Sequence, residues 1–236
     1  MVKAIYMDDC YVKEFDAVVE SVKDDKYVVL NQTAFYPLGG GVAYDTGSIL
    51  RNGEEFPVAY VGKFDNIISH EVSKTGLKIG DKVVGKINWE RRYKLMRLHT
   101  TAHLLASIFH SKSNALITGG QIEPERGRMD FSLENFDRQL IDEYCKIANE
   151  IVQKDLAVSI SYMKREEALK MPDMVKLANK MPPDVGTLRI VEIKGVDRQA
   201  DGGCHVKSTK EIGTIEILKV ENKGKDNRRV YYDAKL

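Results

Sequence analysis

Two histidines four residues apart, His99 and His103 in RLHTTAHLLASIFH, and a third closing DGGCH at 201–205 are the groups in this chain best suited to chemistry. On an α-helix, side chains at that spacing project from one face about one turn apart, so both imidazoles can reach one point. A third imidazole beside a glycine turn could close a metal site, and zinc favours such ligands. Thr100 stands where the HExxH metalloproteases carry glutamate, which argues against a protease. The pair also fits structural histidines with satisfied hydrogen bonds. The second element, Gln199 through His205, gathers a carboxylate, a thiol and an imidazole around Gly202 and Gly203. Those glycines permit a sharp turn or close approach of a ligand to main chain. A plainer reading is a turn in which Asp201 bonds its own backbone.

The helix that must carry the pair is predicted over Arg91 to about Lys112, with Asn88 as its N-cap. Leu95, Leu98, Ala102, Leu105 and Phe109 form its apolar stripe, and His99, His103 and His110 fall along one edge of it. Before it, KAIYM, DAVVESV, KYVVLNQTAFYP, GSILRNG, EEFPVAYVG and KVVGKINW alternate like short strands between glycine and charged turns. A β-barrel-like domain over residues 1–89 is expected, then an α+β domain over 90–236. In the latter a helix at Asn135–Lys154 should pack through Phe136, Leu140, Ile141, Tyr144, Ile147 and Ile151. Strands near AVSISYM, TLRIVEI and IGTIEILKV, a short helix over REEALKM, and a loop with Pro182 and Pro183 complete it.

Composition narrows the class. The chain has 236 residues, 43% of them hydrophobic, and a formal net charge of only +1, so a basic surface must be local. Lys219, Lys223, Lys225, Arg228 and Arg229 beside Tyr231 and Tyr232 form the best local candidate for phosphate contact and stacking, or else an ordinary solvated hairpin. No stretch approaches the roughly 18 apolar residues of a membrane span. Cys10, Cys145 and Cys204 are too scattered for a disulfide framework, so a cytoplasmic location is expected. Gly39, Gly40 and Gly41 lack both the Lys-Ser/Thr ending of a phosphate loop and the spacing of a dinucleotide fingerprint.

Five ordered motifs, TAFYPLGGG…DTG, RLHTTAHLL, RMDF at 128–131, DGGCHVKSTKEIG and ENKGKDNRRV, resemble the AlaX family. These are free-standing relatives of the editing domain of alanyl-tRNA synthetase, and the resemblance spans nearly the whole chain, as in medium-length members. It implies the editing-type α+β fold shared by alanyl- and threonyl-tRNA synthetases. It also implies hydrolysis of tRNA(Ala) mischarged with serine, and in some members glycine, sparing Ala-tRNA(Ala).

By resemblance, His99 and His103 match the family's zinc pair and His205 the last histidine of its CxxxH element. Asp201 stands where the family usually has cysteine, leaving Asp201, Cys204 or water as the fourth ligand, with Cys204 least favoured beside His205. Val42 replaces the glutamine of the family's GGGQ, and Thr33 matches a threonine near the amino-acid pocket. A hydroxyl there would be satisfied by serine and left unpaired by alanine. Gly39, Gly40, Gly41 and Gln121 are expected to contact substrate, and Arg128, Asp130 and Cys204 to wall the cleft. Asp130 could instead orient a ligand histidine from behind. Lys207, Lys210, Lys223, Lys225, Arg228 and Arg229 are the expected tRNA contacts. Bound zinc would activate water, polarise the ester carbonyl or anchor the substrate. Neither His70 nor His110 stands out as a general base. No membrane and no obligatory protein partner are expected, and the rival reading is a catalytically silent tRNA-binding module of the same fold.

Overall fold

A computed structural model describes residues 2–133, 138–170 and 185–236. The elements are β1 (Lys3–Ala4), β2 (Glu14–Lys23), β3 (Tyr27–Leu30), β4 (Gln32–Thr33), β5 (Gly47–Arg51), β6 (Glu54–Phe64), β7 (Ile67–Val72), β8 (Lys82–Ile87) and α1 (Trp89–Ser113). There follow β9 (Ile117–Glu123), β10 (Arg126–Phe131), α2 (Arg138–Gln153), β11 (Val158–Lys164), α3 (Arg165–Ala168), β12 (Thr187–Ile193), β13 (Asp197–Ala200), β14 (Thr214–Asn222) and β15 (Arg228–Lys235). The chain divides into two compact units, Met1–Leu95 and Met96–Leu236, and the division falls within α1.

In the first unit six strands close into a barrel in the order β2-β3-β7-β6-β5-β8. Alternation along these strands buries one set of side chains, among them Phe15, Leu30, Ile49, Phe56 and Val61, and leaves the other in water. KAIYM is a strand only at Lys3–Ala4, because Ile5–Met7 tightens into a 3-10 turn that buries Tyr6. Asn88 caps α1 as expected: its Oδ1 accepts the Arg91 N–H at 3.2 Å and its carbonyl the Arg92 N–H. The buried Arg92 guanidinium pairs with Asp45 and also donates to the carbonyls of Cys10 and Ala34. That fastens the first turns of α1 to the barrel unit.

In the second unit, β14-β15-β10-β9 form one antiparallel sheet and β11-β12-β13 another. Phe109 of α1 stacks on Phe131 at 4.1 Å and meets Tyr144 of α2 edge-on. The Arg97 side chain donates to the carbonyls of Ile212 and Ala234, and Tyr232 Oη to that of Leu98, so α1 is locked to β15 and to the 3-10 turn that precedes β14. Of the apolar face predicted for the second helix, Ile141 and Tyr144 are buried and Leu140, Ile147 and Ile151 only half-buried; Ala148 and Val152, each one position after a predicted residue, complete the buried face instead. Asn135, Phe136, Pro182 and Pro183 lie outside the described residues. No helix among the described residues is long and apolar enough to cross a membrane.

Candidate metal centre

One helical turn of α1 carries His99 and His103 inward, and the segment after β13 returns Asp201 and His205 against them. All four are brought together, their ligand atoms within 4.8 Å of one another. The rings of His99 and His205 lie 4.2 Å apart, those of His103 and His205 4.6 Å. His205 Nε2 stands 3.1 Å from Asp201 Oδ2, and His99 Nε2 3.7 Å from Oδ1. Those values bracket the ligand separation of about 3.4 Å that a tetrahedron with metal–ligand bonds of about 2.0–2.2 Å requires. The histidines are buried and Asp201 is partly so.

Hydrogen bonds behind the rings decide which nitrogens face inward. Thr100 Oγ1 donates to the Met96 carbonyl, leaving its oxygen to accept from His205 Nδ1 at 3.1 Å. His205 Nε2 therefore presents a lone pair to a carboxylate oxygen. Two acceptors at 3.1 Å repel unless a cation or a proton lies between them, and burial opposes the proton by pushing His205 down to about 4. His103 Nδ1 donates to Asp197 Oδ2 at 2.9 Å, which turns Nε2 toward the cluster. His99 Nδ1 is buried without a hydrogen-bond partner of ordinary geometry, beside the Cys204 backbone. Burial holds His99 well below its usual range too. Burial also works against the charge on Asp201, yet attraction to His99, His205 and His103 in their protonated forms holds its carboxyl well below the carboxylate range. Neutral imidazoles around an ionised carboxylate are the protonation states that a divalent metal requires of its ligands.

Asp197 is the residue that sequence reasoning missed. It is buried, and Gln199 Nε2 donates to both its oxygens at 3.0 Å, fixing the carboxylate that fixes His103. Asp130, expected in that role, instead pairs with Arg229 at 2.7 and 2.9 Å and with Arg128 at 3.3 Å. It sits on β10 opposite Arg229 of β15, so strand register supplies a guanidinium partner rather than an imidazole. Gln121 joins the same network, accepting from Arg128 at 3.3 Å. Asp201 fulfils the plainer reading as well: its Oδ2 accepts the Gly203 N–H at 2.6 Å. Gly203 is required there, since a Cβ would stand 2.3 Å from His99 Cε1. Cys204 is buried but is not among the clustered ligand atoms. His110 sits at the helix end, its Nδ1 near the Ala115 carbonyl.

Other expected contacts divide. Thr33 is fully buried in the barrel unit. His70 Nδ1 donates to the Val28 carbonyl, so its Nε2 accepts the Thr33 hydroxyl proton at 2.8 Å, while Thr33 Oγ1 accepts the Phe35 N–H. The Thr33 hydroxyl is thus engaged within the barrel unit on both its donor and its acceptor side. Gly40 and Gly41, at φ +60° and +82°, form the tip of an exposed two-residue turn between Gly39 and Val42. Arg228 is buried and binds Asn222 Oδ1 and the carbonyls of Gly224 and Asn227, so it ties the β14–β15 turn instead of facing phosphate. Arg229 is engaged by Asp130. Lys207, Lys210, Lys223 and Lys225 are exposed.

Two family profiles match the chain: class II (A) tRNA synthetases over residues 2–91, and the second additional domain of threonyl and alanyl tRNA synthetases over 188–231. The latter stretch includes Asp197, Asp201 and His205. The alanyl-tRNA editing protein AlaX-M of Saccharolobus solfataricus is 49% identical over the full length of both chains. The chain belongs to the AlaX-M family of alanyl-tRNA editing proteins. The AlaX-M protein of Methanosarcina mazei is 47% identical, over 98% of this chain and 96% of its own. An alanine–tRNA ligase of Methanococcus maripaludis is 42% identical over 88% of this chain but only 23% of its own length. An AlaX-M chain thus corresponds to a minor segment of that ligase.

Proposed function

We propose that this protein deacylates tRNA(Ala) mischarged with serine, and also glycine, while sparing Ala-tRNA(Ala), with zinc held by His99, His103, His205 and Asp201. The observation that carries the reading is the convergence of three imidazoles on the Asp201 carboxylate within a full-length AlaX-M family chain. Zinc there supplies a Lewis acid for the ester or its attacking water. The chain's own residues do the positioning: Thr100 and Asp197 set the His205 and His103 tautomers, and Gly203 leaves room for His99. An aminoacyl ester is already activated, so orientation and local charge can carry most of the rate. The exposed lysines Lys207, Lys210, Lys223 and Lys225 contact tRNA phosphates.

The test is hydrolysis of Ser-, Gly- and Ala-tRNA(Ala) by the wild-type protein and His103→Ala. Serine-selective turnover that falls at least a hundredfold in a folded His103→Ala variant supports the reading. Binding of tRNA without turnover by zinc-loaded wild-type protein would replace it with the silent tRNA-binding module.

A further inference from the structure

From this donor set we infer that the metal is held without sulfur, by three imidazoles and the Asp201 carboxylate, and that the site therefore also accepts ferrous iron, cobalt and manganese and resists oxidative loss of metal. The inference rests on the proposed metal centre and specifies its chemistry. Among the described residues the ligand atoms that come within 4.8 Å of one another are three nitrogens and one carboxylate, with no thiol. Cys204 precedes His205 directly and is buried, but its sulfur is not among the clustered ligand atoms. The carboxylate is itself built in. Oδ2 takes the Gly203 N–H at 2.6 Å, and the buried Arg189 donates to the Asp201 carbonyl at 2.7 Å with its guanidinium 3.9 Å from Oδ2. Oδ1 faces His99 at 3.7 Å. The segment around residue 201 is therefore anchored by its main chain and one oxygen, which leaves the carboxylate turned into the cluster.

Donor chemistry gives the consequence. Thiolate is soft and selects zinc and cuprous copper, whereas imidazole and carboxylate also suit iron, cobalt and manganese. Thiolate is also the ligand that peroxide converts to sulfenic acid and disulfide, while carboxylate and imidazole resist that route. An Asp-for-Cys exchange at position 201 accordingly changes metal range and redox behaviour while keeping the same ligand charge.

Cobalt reports the shell directly. Purified protein stripped of metal and loaded with cobalt should show the visible bands of a four- or five-coordinate ion without the near-ultraviolet absorption of a cobalt–thiolate bond. Asp201→Cys should acquire that absorption, and Cys204→Ser should leave the wild-type spectrum unchanged. Zinc-loaded wild-type protein, treated with peroxide and a chromogenic chelator, should release zinc at least tenfold more slowly than Asp201→Cys. Thiolate absorption in the wild type, abolished in Cys204→Ser, would overturn the inference; so would cobalt failing to bind. Deacylation with zinc can succeed or fail independently of these spectra, so loss of this inference and loss of the proposed function are distinguishable.

Discussion

Asp197 determines which nitrogen of His103 faces the cluster. Asp197→Asn offers an amide whose nitrogen can donate toward Nδ1 and favour the wrong tautomer, so zinc affinity is expected to fall about 10–100-fold. Competition against a calibrated chelator checks this, and Asp130→Asn, which breaks only the pair with Arg229 and Arg128, should leave zinc affinity unchanged. The ligand histidines were legible in sequence because helical spacing placed them, and Asp201 because it shares their cluster of chemical types. Asp197 was missed, although a signal existed: Asp197, Gln199 and Asp201 stand two apart, the period of a strand, and the structure puts Asp197 and Gln199 on the buried side of β13. The partners of Thr33 and Asp130 were not legible. His70 and Arg229 lie 37 and 99 residues away in sequence; strand pairing sets Arg229 opposite Asp130, and the folding of the barrel unit brings His70 to Thr33.

Elements hold these residues through their ends. Asn88→Ala removes the side-chain acceptor for the Arg91 N–H and should cost about 1 kcal/mol of stability, read as a lower midpoint in urea with the same slope. Gly203→Ala puts a methyl group into the His99 ring, and its expected signature is loss of zinc with the far-ultraviolet circular dichroism retained. The existence of the barrel strands and of α1 was readable from alternation and from the change to helical period at residue 90. The 3-10 turn at Ile5–Met7 was not, because a short apolar run with one buried tyrosine satisfies either conformation. In the basic tail, charge pattern locates the cations but not their partners in the protein, which for Arg228 are turn carbonyls and for Arg229 a facing carboxylate.

For the molecule as a whole, buried neutral histidines set the response to acid. His70, pushed by burial down to about 4, binds its proton only in the unfolded chain between that value and about 6.5. Above about 6.5 both states are neutral and nothing changes. Below it the unfolded state gains protons and stability falls with pH, by about 1.4 kcal/mol per unit and about 3 kcal/mol in total for this one group by pH 4. Urea unfolding of the metal-free protein between pH 7 and pH 4 should show at least that slope, since His99 and His205 are shifted in the same direction, and His70→Gln should reduce it by the share of this one group. Function makes the stronger claim, that one metal in the His99–His103–Asp201–His205 cluster enables serine-selective editing. The direct measurement is single-turnover hydrolysis of Ser-tRNA(Ala), with Ala-tRNA(Ala) in parallel, as zinc is titrated back into stripped protein. The account predicts a serine-specific rate that rises linearly and saturates at one zinc per chain; equal Ser-tRNA(Ala) hydrolysis by the stripped and the loaded protein would contradict it.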